Sequence, residues 1–324
     1  MFTAKHILVA LADTAAKSAP AIARAGELAA RTGARVTLFH SLYSPYVAGE
    51  QFYSPVELQR DIEAAVNARK LALARLAQPL TDAGIETHVR CRWDYPVHES
   101  IVREVMREDV DLLLIEGHRH GAMARIVLSN TDWQLMRLCP CPVLLVKSTR
   151  ALSRPRVLVA IDPTHAHAKP AELDKALLTA GTDYAEAFGG RLHAAHFYSV
   201  VVPMAAGFMV EPLPLPPEIA ERHEREVARA FDAAVAKFDV GPKRRHLRIG
   251  LPVDELPALA EELDARLVVM GAVSRTGLKR LFIGHTAERV IDAIGCDVLV
   301  LKPAGFKTPV PRRAAHRPVV LPPL

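Results

Sequence analysis

The sequence has few of the features that mark membrane-spanning, disulfide-stabilised or zinc-scaffold proteins. No apolar run reaches the ~18 residues that a helix needs to cross a bilayer. The cysteines number only four, and their spacing is neither that of a zinc site nor that of a C-x-x-C redox motif. They are Cys91, Cys139, Cys141 and Cys296. We therefore expect a cytoplasmic globular protein with reduced, structural thiols.

An excess of one charge is also lacking outside the last residues of the chain. The formal net charge is +5, but Lys307, Arg312, Arg313 and Arg317 lie in a tail without any acidic residue. The rest of the chain is nearly balanced, so a basic face that binds nucleic acid is not expected. The tail, residues 307–324, is rich in proline and is predicted to be disordered, or else to bind a partner.

The chain contains an internal duplication. "KHILVAL" at 5–11 returns as "PRVLVAI" at 155–161, and "DVDLLLIEG" at 109–117 returns as "LDARLVVMG" at 263–271. Two further segments repeat in the same order at a similar offset, which is the pattern of two related domains in tandem.

Each copy alternates short apolar runs with longer amphipathic segments. Such runs are typical of parallel strands that are covered on both faces, and the segments between them are predicted helices. The predicted strands are residues 5–11, 34–40, 86–93, 110–116 and 143–147, then 156–161, 191–197, 244–249, 265–270 and 298–302. The pattern predicts two doubly wound, Rossmann-like α/β domains with five parallel strands each, in the flavodoxin-type order 3-2-1-4-5.

Proline and glycine mark several predicted helix ends. Helices are expected to begin at Ser54-Pro55 and at Pro216-Pro217, because proline is favoured in the first turn. Gly33 and Gly189 are expected to end the first helix of each copy.

The second copy resembles the universal stress protein family. It has Asp162 after its first strand, "GLP" at 250–252, "MGAVSRTGLKRLFIGHTAERV" and "CDVLVLKP". The family's signature G-x-x-G-x(9)-G-[ST] falls on Gly271, Ser274, Gly284 and His285, with the spacing kept and two positions changed. The resemblance extends over residues 1–310 and is to the tandem type. It implies domains at 1–150 and 151–306 and a stress-response, ligand-binding regulatory module.

The resemblance also implies a site for ATP or a related adenine nucleotide in the second domain. The glycines would let the backbone approach phosphates, and the following helix would direct its amides at them. Asp162 would accept a hydrogen bond from a ribose hydroxyl, and Phe197 and Met270 would flank the adenine. The implied site residues are Ile161, Asp162, Phe197, Met270, Gly271, Ser274, Gly284, His285 and Thr286.

The first copy has lost the glycines of this loop. Glu116, Arg119, Ser129 and Asn130 fall on the signature positions, and Ala12 stands where the second copy has Asp162. We expect no nucleotide in this domain in the manner of the family.

A second ligand hypothesis concerns histidines of the first copy. His118 and His120 follow the fourth strand and Asp13 follows the first, which would be its neighbour in the sheet. Two imidazoles and a carboxylate suit zinc. Solvated loop histidines are the alternative interpretation.

Two other readings of the function stay open. The segment 199–217 is unusually apolar for a loop, so it is expected at an interface or over an apolar ligand pocket. An apolar-ligand or partner-binding scaffold is therefore one alternative to a nucleotide binder. A weak ATPase is the other alternative. Its hydrolysis would be slow, because no complete set of nucleophile, base and metal ligands is evident.

The fifth strands predict how the two domains meet. Val143–Lys147 and Val298–Lys302 are apolar and terminal in their copies. Because an exposed edge of this kind invites pairing, we expect antiparallel contact between them in an internal pseudo-dimer.

Overall fold

A computed structural model describes residues 4–14, 20–43, 55–119, 126–164, 171–200, 216–272 and 285–314 of the chain. It divides into two compact units. Of the described residues, one unit comprises those between 4 and 151 together with 305–314, and the other comprises those between 152 and 304. Within the described residues, no helix is both long and apolar enough to span a bilayer.

The first unit alternates strands and helices as its sequence predicts. Its elements are β1 (His6–Ala10), α1 (Pro20–Thr32), β2 (Arg35–Leu42), α2 (Pro55–Asp82), β3 (Thr87–Trp93), α3 (Val97–Arg107), β4 (Leu112–Glu116), β5 (His118–Arg119), β6 (Ile126–Val127), α4 (Asn130–Leu138) and β7 (Val143–Val146). The short antiparallel pair β5–β6 is not predicted by the sequence pattern, because two-residue strands carry no periodicity.

The second unit repeats the order. Its elements are β8 (Arg156–Ala160), α5 (Ala171–Ala187), β9 (Arg191–Tyr198), α6 (Pro217–Val235), β10 (Arg245–Ile249), α7 (Pro252–Glu262), β11 (Leu267–Gly271), α8 (His285–Ala293) and β12 (Asp297–Leu301). A 3₁₀ turn at Pro242–Arg244 precedes β10.

The two sheets have the predicted strand order. In the first unit it is β3-β2-β1-β4-β7, and in the second it is β10-β9-β8-β11-β12. Each is the order 3-2-1-4-5, and all pairs within these five-stranded groups are parallel. The α/β, Rossmann-like prediction is confirmed. The predicted pairing of Val143–Lys147 with Val298–Lys302 stays a prediction.

Helices cover both faces of each sheet. In the first unit α1 and α2 contact each other over one face, and α3 and α4 contact each other. The second unit pairs α5 with α6 and α7 with α8 in the same way. The central strands are therefore buried on both sides, and Ile7, Leu113 and Val269 have no exposed surface.

The helix ends follow the local sequence. Helices α2 and α6 begin at Pro55 and Pro217, as predicted. Gly33 and Gly189 follow α1 and α5 with φ of 72° and 62°. Only glycine adopts this left-handed conformation without strain, so each ends its helix and turns the chain into the next strand.

Part of the basic tail, residues 307–314, is described, and the predicted disorder of residues 307–324 stays a prediction. Residues up to 314 are described, and they belong to the first unit although they follow the second domain in sequence. Val310 is only 6% exposed, and its amide donates to Thr308 Oγ1 at 3.2 Å. A proline-rich segment needs no core of its own when it buries single apolar side chains against a domain. Residues 315–324 lie outside the described part.

Candidate functional site

The fold places one edge of the second sheet where doubly wound proteins bind ligands. After β8 the chain builds β9 and β10 on one side, and then crosses to β11 on the other. The carboxyl ends of β8 and β11 therefore flank the point where the strand order reverses, which is the usual ligand crevice of such sheets. Ile161 and Asp162 follow β8, and Met270 and Gly271 end β11. The sequence-predicted residues of both strands thus lie at one edge.

The position of Asp162 is fixed by a hydrogen bond from its backbone amide. Its amide donates to Oδ1 of Asp174 at 3.1 Å, and its Oδ1 accepts from the hydroxyl of Thr164 at 3.0 Å. Asp174 lies in the first turn of α5 and is 4% exposed, whereas Asp162 is half-buried. The buried carboxylate fixes the chain, so the carboxylate of Asp162 is held at the rim of the crevice.

A buried histidine fixes the residue before Asp162. Nδ1 of His196 lies 3.0 Å from the carbonyl oxygen of Ile161, and the imidazole is 4% exposed. The Ile161 amide donates in turn to the carbonyl of Ala195 at 3.0 Å. Both backbone groups of Ile161 are therefore bound to β9, which anchors the segment that carries Asp162.

Met270 and Phe197 share one face of the sheet. Val269 pairs with Val159, and Val159 pairs with Ala194, so Met270 lies in the row of Ala195. Phe197 is two residues beyond Ala195, and side chains two residues apart point to the same face. Both are 8% exposed. They are positioned to line an apolar wall beside the crevice.

The rest of the predicted loop is only partly described. Gly271 ends β11, and the Ala272 amide donates to the Leu301 carbonyl at 2.9 Å. Ser274 and Gly284 lie outside the described residues. Helix α8 begins at His285, with Thr286 second, and the side chains of these two residues are not described. The helix start follows the crevice in sequence as the resemblance implies.

In the first domain, the start of the equivalent helix α4 is capped by its own side chains. Ser129 caps α4, and its Oγ accepts from the amide of Asp132 at 3.2 Å. Asp132 Oδ2 accepts from the amide and the hydroxyl of Ser129, both at 2.8 Å. This capping box occupies two amides at the helix start, with the buried carboxylate on that of Ser129 and the Ser129 hydroxyl on that of Asp132, and a phosphate would need such donors. The first domain therefore presents an acid where a nucleotide would place its own negative charge.

The second domain lacks this carboxylate. Asp132 is the third residue of α4, and the third residue of α8 is Ala287. Glu288 is the first acidic residue of α8, one position farther along the helix. The two copies thus differ at the position whose carboxylate, in the first domain, accepts from the amide of the capping residue.

A histidine pair lies on the same sheet face as Phe197. Nδ1 of His193 is 3.0 Å from Nε2 of His246, and the rings are stacked with centroids 5.3 Å apart. Burial, and then the neighbouring His246 and arginines, lower the pKa of His193 to about 4. The pair is therefore neutral at pH 7 and adds no positive charge to this face.

The predicted zinc site lies mostly outside the described residues. His118 forms part of β5 without a described side chain, His120 is not described, and Asp13 is exposed after β1. In the described ranges there is no group of three or more histidines, cysteines or carboxylates suited to a metal. The zinc hypothesis stays a prediction.

Elemental analysis of chelator-free protein tests the zinc hypothesis. It should find about one zinc per chain, and the His118→Ala/His120→Ala variant should lose it. Unmutated protein without zinc would end the hypothesis.

Three supporting residues were not predicted. His196 and Asp174 hold the Ile161–Asp162 segment, and His40 does the same in the first domain, where its Nδ1 lies 2.8 Å from the Leu11 carbonyl. The repeat contained a signal for the histidines, because His40 and His196 occupy the same place in the duplicated second strand. Asp174 left no such signal, because the stretch from Ile161 to Gly189 is six residues longer than its counterpart from Leu11 to Gly33, so the repeat does not fix which residue matches Asp174.

Comparisons with known proteins agree with this duplicated architecture. The model of the universal stress protein family matches residues 3–147 and again residues 154–302. Universal stress protein E of Escherichia coli K12 is 31% identical over 292 residues, which cover 90% of this chain and 92% of that protein. The Photorhabdus laumondii protein of the same name is 29% identical and covers 94% of this chain and 96% of its own.

Solved structures share the two-domain fold. A Pseudomonas aeruginosa PAO1 protein of unknown function has a TM-score of 0.70 at 25% identity, with 93% of both chains covered. A universal stress protein from Archaeoglobus fulgidus has a TM-score of 0.61 at 18% identity, over 93% of this chain and 99% of that one. With a family match in each half and whole-length relatives above 30% identity, the chain belongs to the universal stress protein family and has its tandem, two-domain form.

Proposed function

We propose that the second domain binds ATP or a related adenine nucleotide, and that the protein acts as a ligand-responsive regulatory module of the cytoplasm. The observation that carries the proposal is the difference between the two equivalent helix starts. In α4 the Asp132 carboxylate accepts from the amide of the capping residue Ser129, whereas α8 has Ala287, which carries no carboxylate, at the same position. One domain of the pair thus keeps an anion-binding helix terminus next to a ligand crevice.

Each part of a nucleotide has a partner in this arrangement. The base would lie on the apolar wall of Met270 and Phe197, where buried surface favours an aromatic ring. The ribose would donate to Asp162, whose orientation is fixed through its amide. The phosphates would meet the amides at the start of α8, since a helix N-terminus combines unpaired donors with a favourable dipole.

We infer at most slow hydrolysis of the bound nucleotide, which would then act as a signal. A hydrolytic site needs a positioned base and, for phosphoryl transfer, a metal or cationic clamp at the γ-phosphate. The described residues at the crevice supply a carboxylate, an apolar wall and backbone amides, which are groups that bind a nucleotide.

Calorimetric titration of the whole protein with ATP tests the proposal. We expect one site per chain, and native mass spectrometry of the titrated protein should show a single bound nucleotide. Two sites per chain, or none, would contradict the assignment to one domain.

His40 and His196, which occupy equivalent positions in the two copies, provide a matched pair of variants. His196→Ala should weaken ATP binding about tenfold, because the orphaned Ile161 carbonyl loosens the segment that carries Asp162, and such a buried loss is worth about 1–3 kcal/mol. His40→Ala removes the same hydrogen bond from the first domain and should leave ATP affinity unchanged. Titration of both variants, alongside their unfolding midpoints, separates a local effect from general destabilisation. Equal losses of affinity in both variants would refute a site in the second domain.

A further inference from the structure

Two cysteine side chains of the first domain meet outside the proposed nucleotide site. The Sγ atoms of Cys139 and Cys141 are 3.5 Å apart, and neither residue forms a disulfide in the structure. A disulfide has a sulfur–sulfur distance of about 2.05 Å, so the two atoms need to approach by only about 1.5 Å. Side-chain rotation supplies displacements of this size without a change in the fold.

Two prolines restrict the backbone around the cysteine pair. Pro140 lies between the cysteines and Pro142 follows them, and proline fixes its own φ and restricts the residue before it. Cys139 has φ of −66° and ψ of 129°, which is the extended conformation expected before proline, and its amide is anchored to the Leu135 carbonyl at 2.9 Å. Because little freedom remains to be lost, the two thiols are held at a high effective concentration.

The two thiols differ in access. Cys139 has no exposed surface, whereas Cys141 is 8% exposed and lines a groove of about 530 Å³. The groove lies within the first unit, between the end of α3, the Cys141 turn and the tail segment from Phe306 to Arg312. A small molecule in this groove would contact Cys141 first.

The groove carries an excess of positive charge. Lys307 and Arg312 lie on its tail side and are exposed, and Asp109 is the acidic residue among its lining side chains. Its other walls are largely apolar, and Val105, Val110 and Pro140 contribute to them. An anionic reagent of peptide size is therefore attracted to the wall that contains Cys141.

We propose that Cys139 and Cys141 form a reversible internal disulfide by exchange with a small anionic disulfide. The Cys141 thiolate attacks one sulfur of that disulfide, forms a mixed disulfide and releases the first small thiol. The Cys139 thiolate then attacks the sulfur of Cys141, closes the internal bond and releases the second small thiol. The protein thiols lose two electrons and two protons, and both are recovered in the two small thiols. A reducing thiol pool reverses the reaction.

Oxidised glutathione, an anionic disulfide, is the probe for the first test. Trypsin should release Leu138–Lys147, a peptide that contains both cysteines and no other. After incubation of the whole native protein with the probe, unreacted thiols are alkylated and the digest is analysed by mass spectrometry. We expect this peptide to be lighter by two hydrogens and unalkylated, and to regain two alkylatable thiols after reduction. A peptide that remains fully alkylated in excess probe, or that keeps glutathione as its final state, would overturn the proposal.

Single variants test the order of attack. Cys139→Ser should stop at the mixed disulfide on Cys141, because the resolving thiol is gone. Cys141→Ser should leave the buried Cys139 unmodified. Glutathione on Cys139 in the second variant would show that the groove does not direct the reaction.

The charge of the oxidant tests the groove itself. Lys307→Gln/Arg312→Gln should slow oxidation by glutathione disulfide about three- to tenfold at low ionic strength, and Asp109→Asn should accelerate it. Neither variant should change the rate with hydroxyethyl disulfide, which is neutral. Equal effects on both oxidants would mean that the tail acts on folding or access rather than by charge, and would refute the anionic partner.

Discussion

Ala287→Asp should abolish ATP binding without destabilising the protein. The substitution gives α8 the third-residue carboxylate that Asp132 provides in α4. There the carboxylate accepts from the amide and hydroxyl of the capping Ser129. An aspartate at position 287 would take the amide of residue 284 in the same way and cover a donor that a phosphate needs.

The expected loss is large because two effects add. The aspartate removes an amide donor from the phosphates, and it also places a negative charge about 5 Å from them. At an effective dielectric constant of about 20, that repulsion is worth roughly 3 kcal/mol, or about a hundredfold in affinity. The free energy of unfolding should rise slightly, since an acid in the first turn of a helix stabilises it by about 0.3–1 kcal/mol.

A second acid on the same helix is the matched control. Ala293 is the last residue of α8 and is exposed, so Ala293→Asp makes the same change of charge two turns away from the helix start. Calorimetry should find near-parental ATP affinity for this variant and none for Ala287→Asp. Parental affinity in Ala287→Asp would show that the phosphates do not lie at the start of α8.

The architecture was predictable because several local signals agreed. Buried parallel strands give continuous apolar runs, and the duplication provided each of them twice. Proline at the starts of α2 and α6 and glycine after α1 and α5 fixed helix ends that periodicity alone leaves uncertain. Strand order followed from the handedness of the crossovers and from the family resemblance.

The supporting residues of the site were harder to predict, because they depend on register between distant strands. His196 reaches the Ile161 carbonyl only because β9 lies beside β8 in one particular alignment. A histidine within an apolar strand is otherwise ambiguous. Asp174 reaches Asp162 across the turn between β8 and α5, a distance that sequence spacing does not determine.

The capped helix start of the first domain has a signal in the sequence, which is separate from the loss of the loop glycines. "SNTD" at 129–132 has the spacing of a capping box, so the capped start of α4 can be recognised from the sequence alone. The burial of Val310 and the groove beside Cys141 were not predictable, because a proline-rich tail has no period that indicates which side chain is covered.

Arg103→Met should destabilise the first domain by about 3–5 kcal/mol, because it leaves partly buried carboxylates without a counter-charge. The Arg103 guanidinium lies in α3 and is about 2% exposed. Its Nε and Nη2 donate to the two carboxylate oxygens of Asp94 at 2.9 and 2.8 Å, and its Nη1 donates to Glu99 at 2.9 Å. Burial alone would lower the pKa of Arg103, but the bonds to Asp94 and Glu99 raise it above its usual value.

The cluster joins α3 to the end of β3. The Asp94 amide donates to the Leu42 carbonyl at 3.1 Å, and the Asp94 carbonyl accepts from Ser41 at 3.1 Å. The chain turns here from β3 into α3, so a charge left uncompensated at Asp94 acts on the contact between strand and helix. Trp93 precedes Asp94, and the other tryptophan, Trp133, is also in the first domain. Tryptophan fluorescence therefore reports the unfolding of this domain alone.

Graded variants distinguish the buried ion pair from helix propensity. Arg103→Lys keeps the charge but loses the two-pronged contact with Asp94, so it should show an intermediate loss. Glu99→Gln removes only the more exposed partner, whose side chain is 32% exposed. Its free energy of unfolding should fall by less than about 1 kcal/mol. Urea unfolding followed by tryptophan fluorescence should rank the variants with methionine least stable, then lysine, then Glu99→Gln. A methionine variant as stable as the parent would show that packing, not charge, holds α3 against β3.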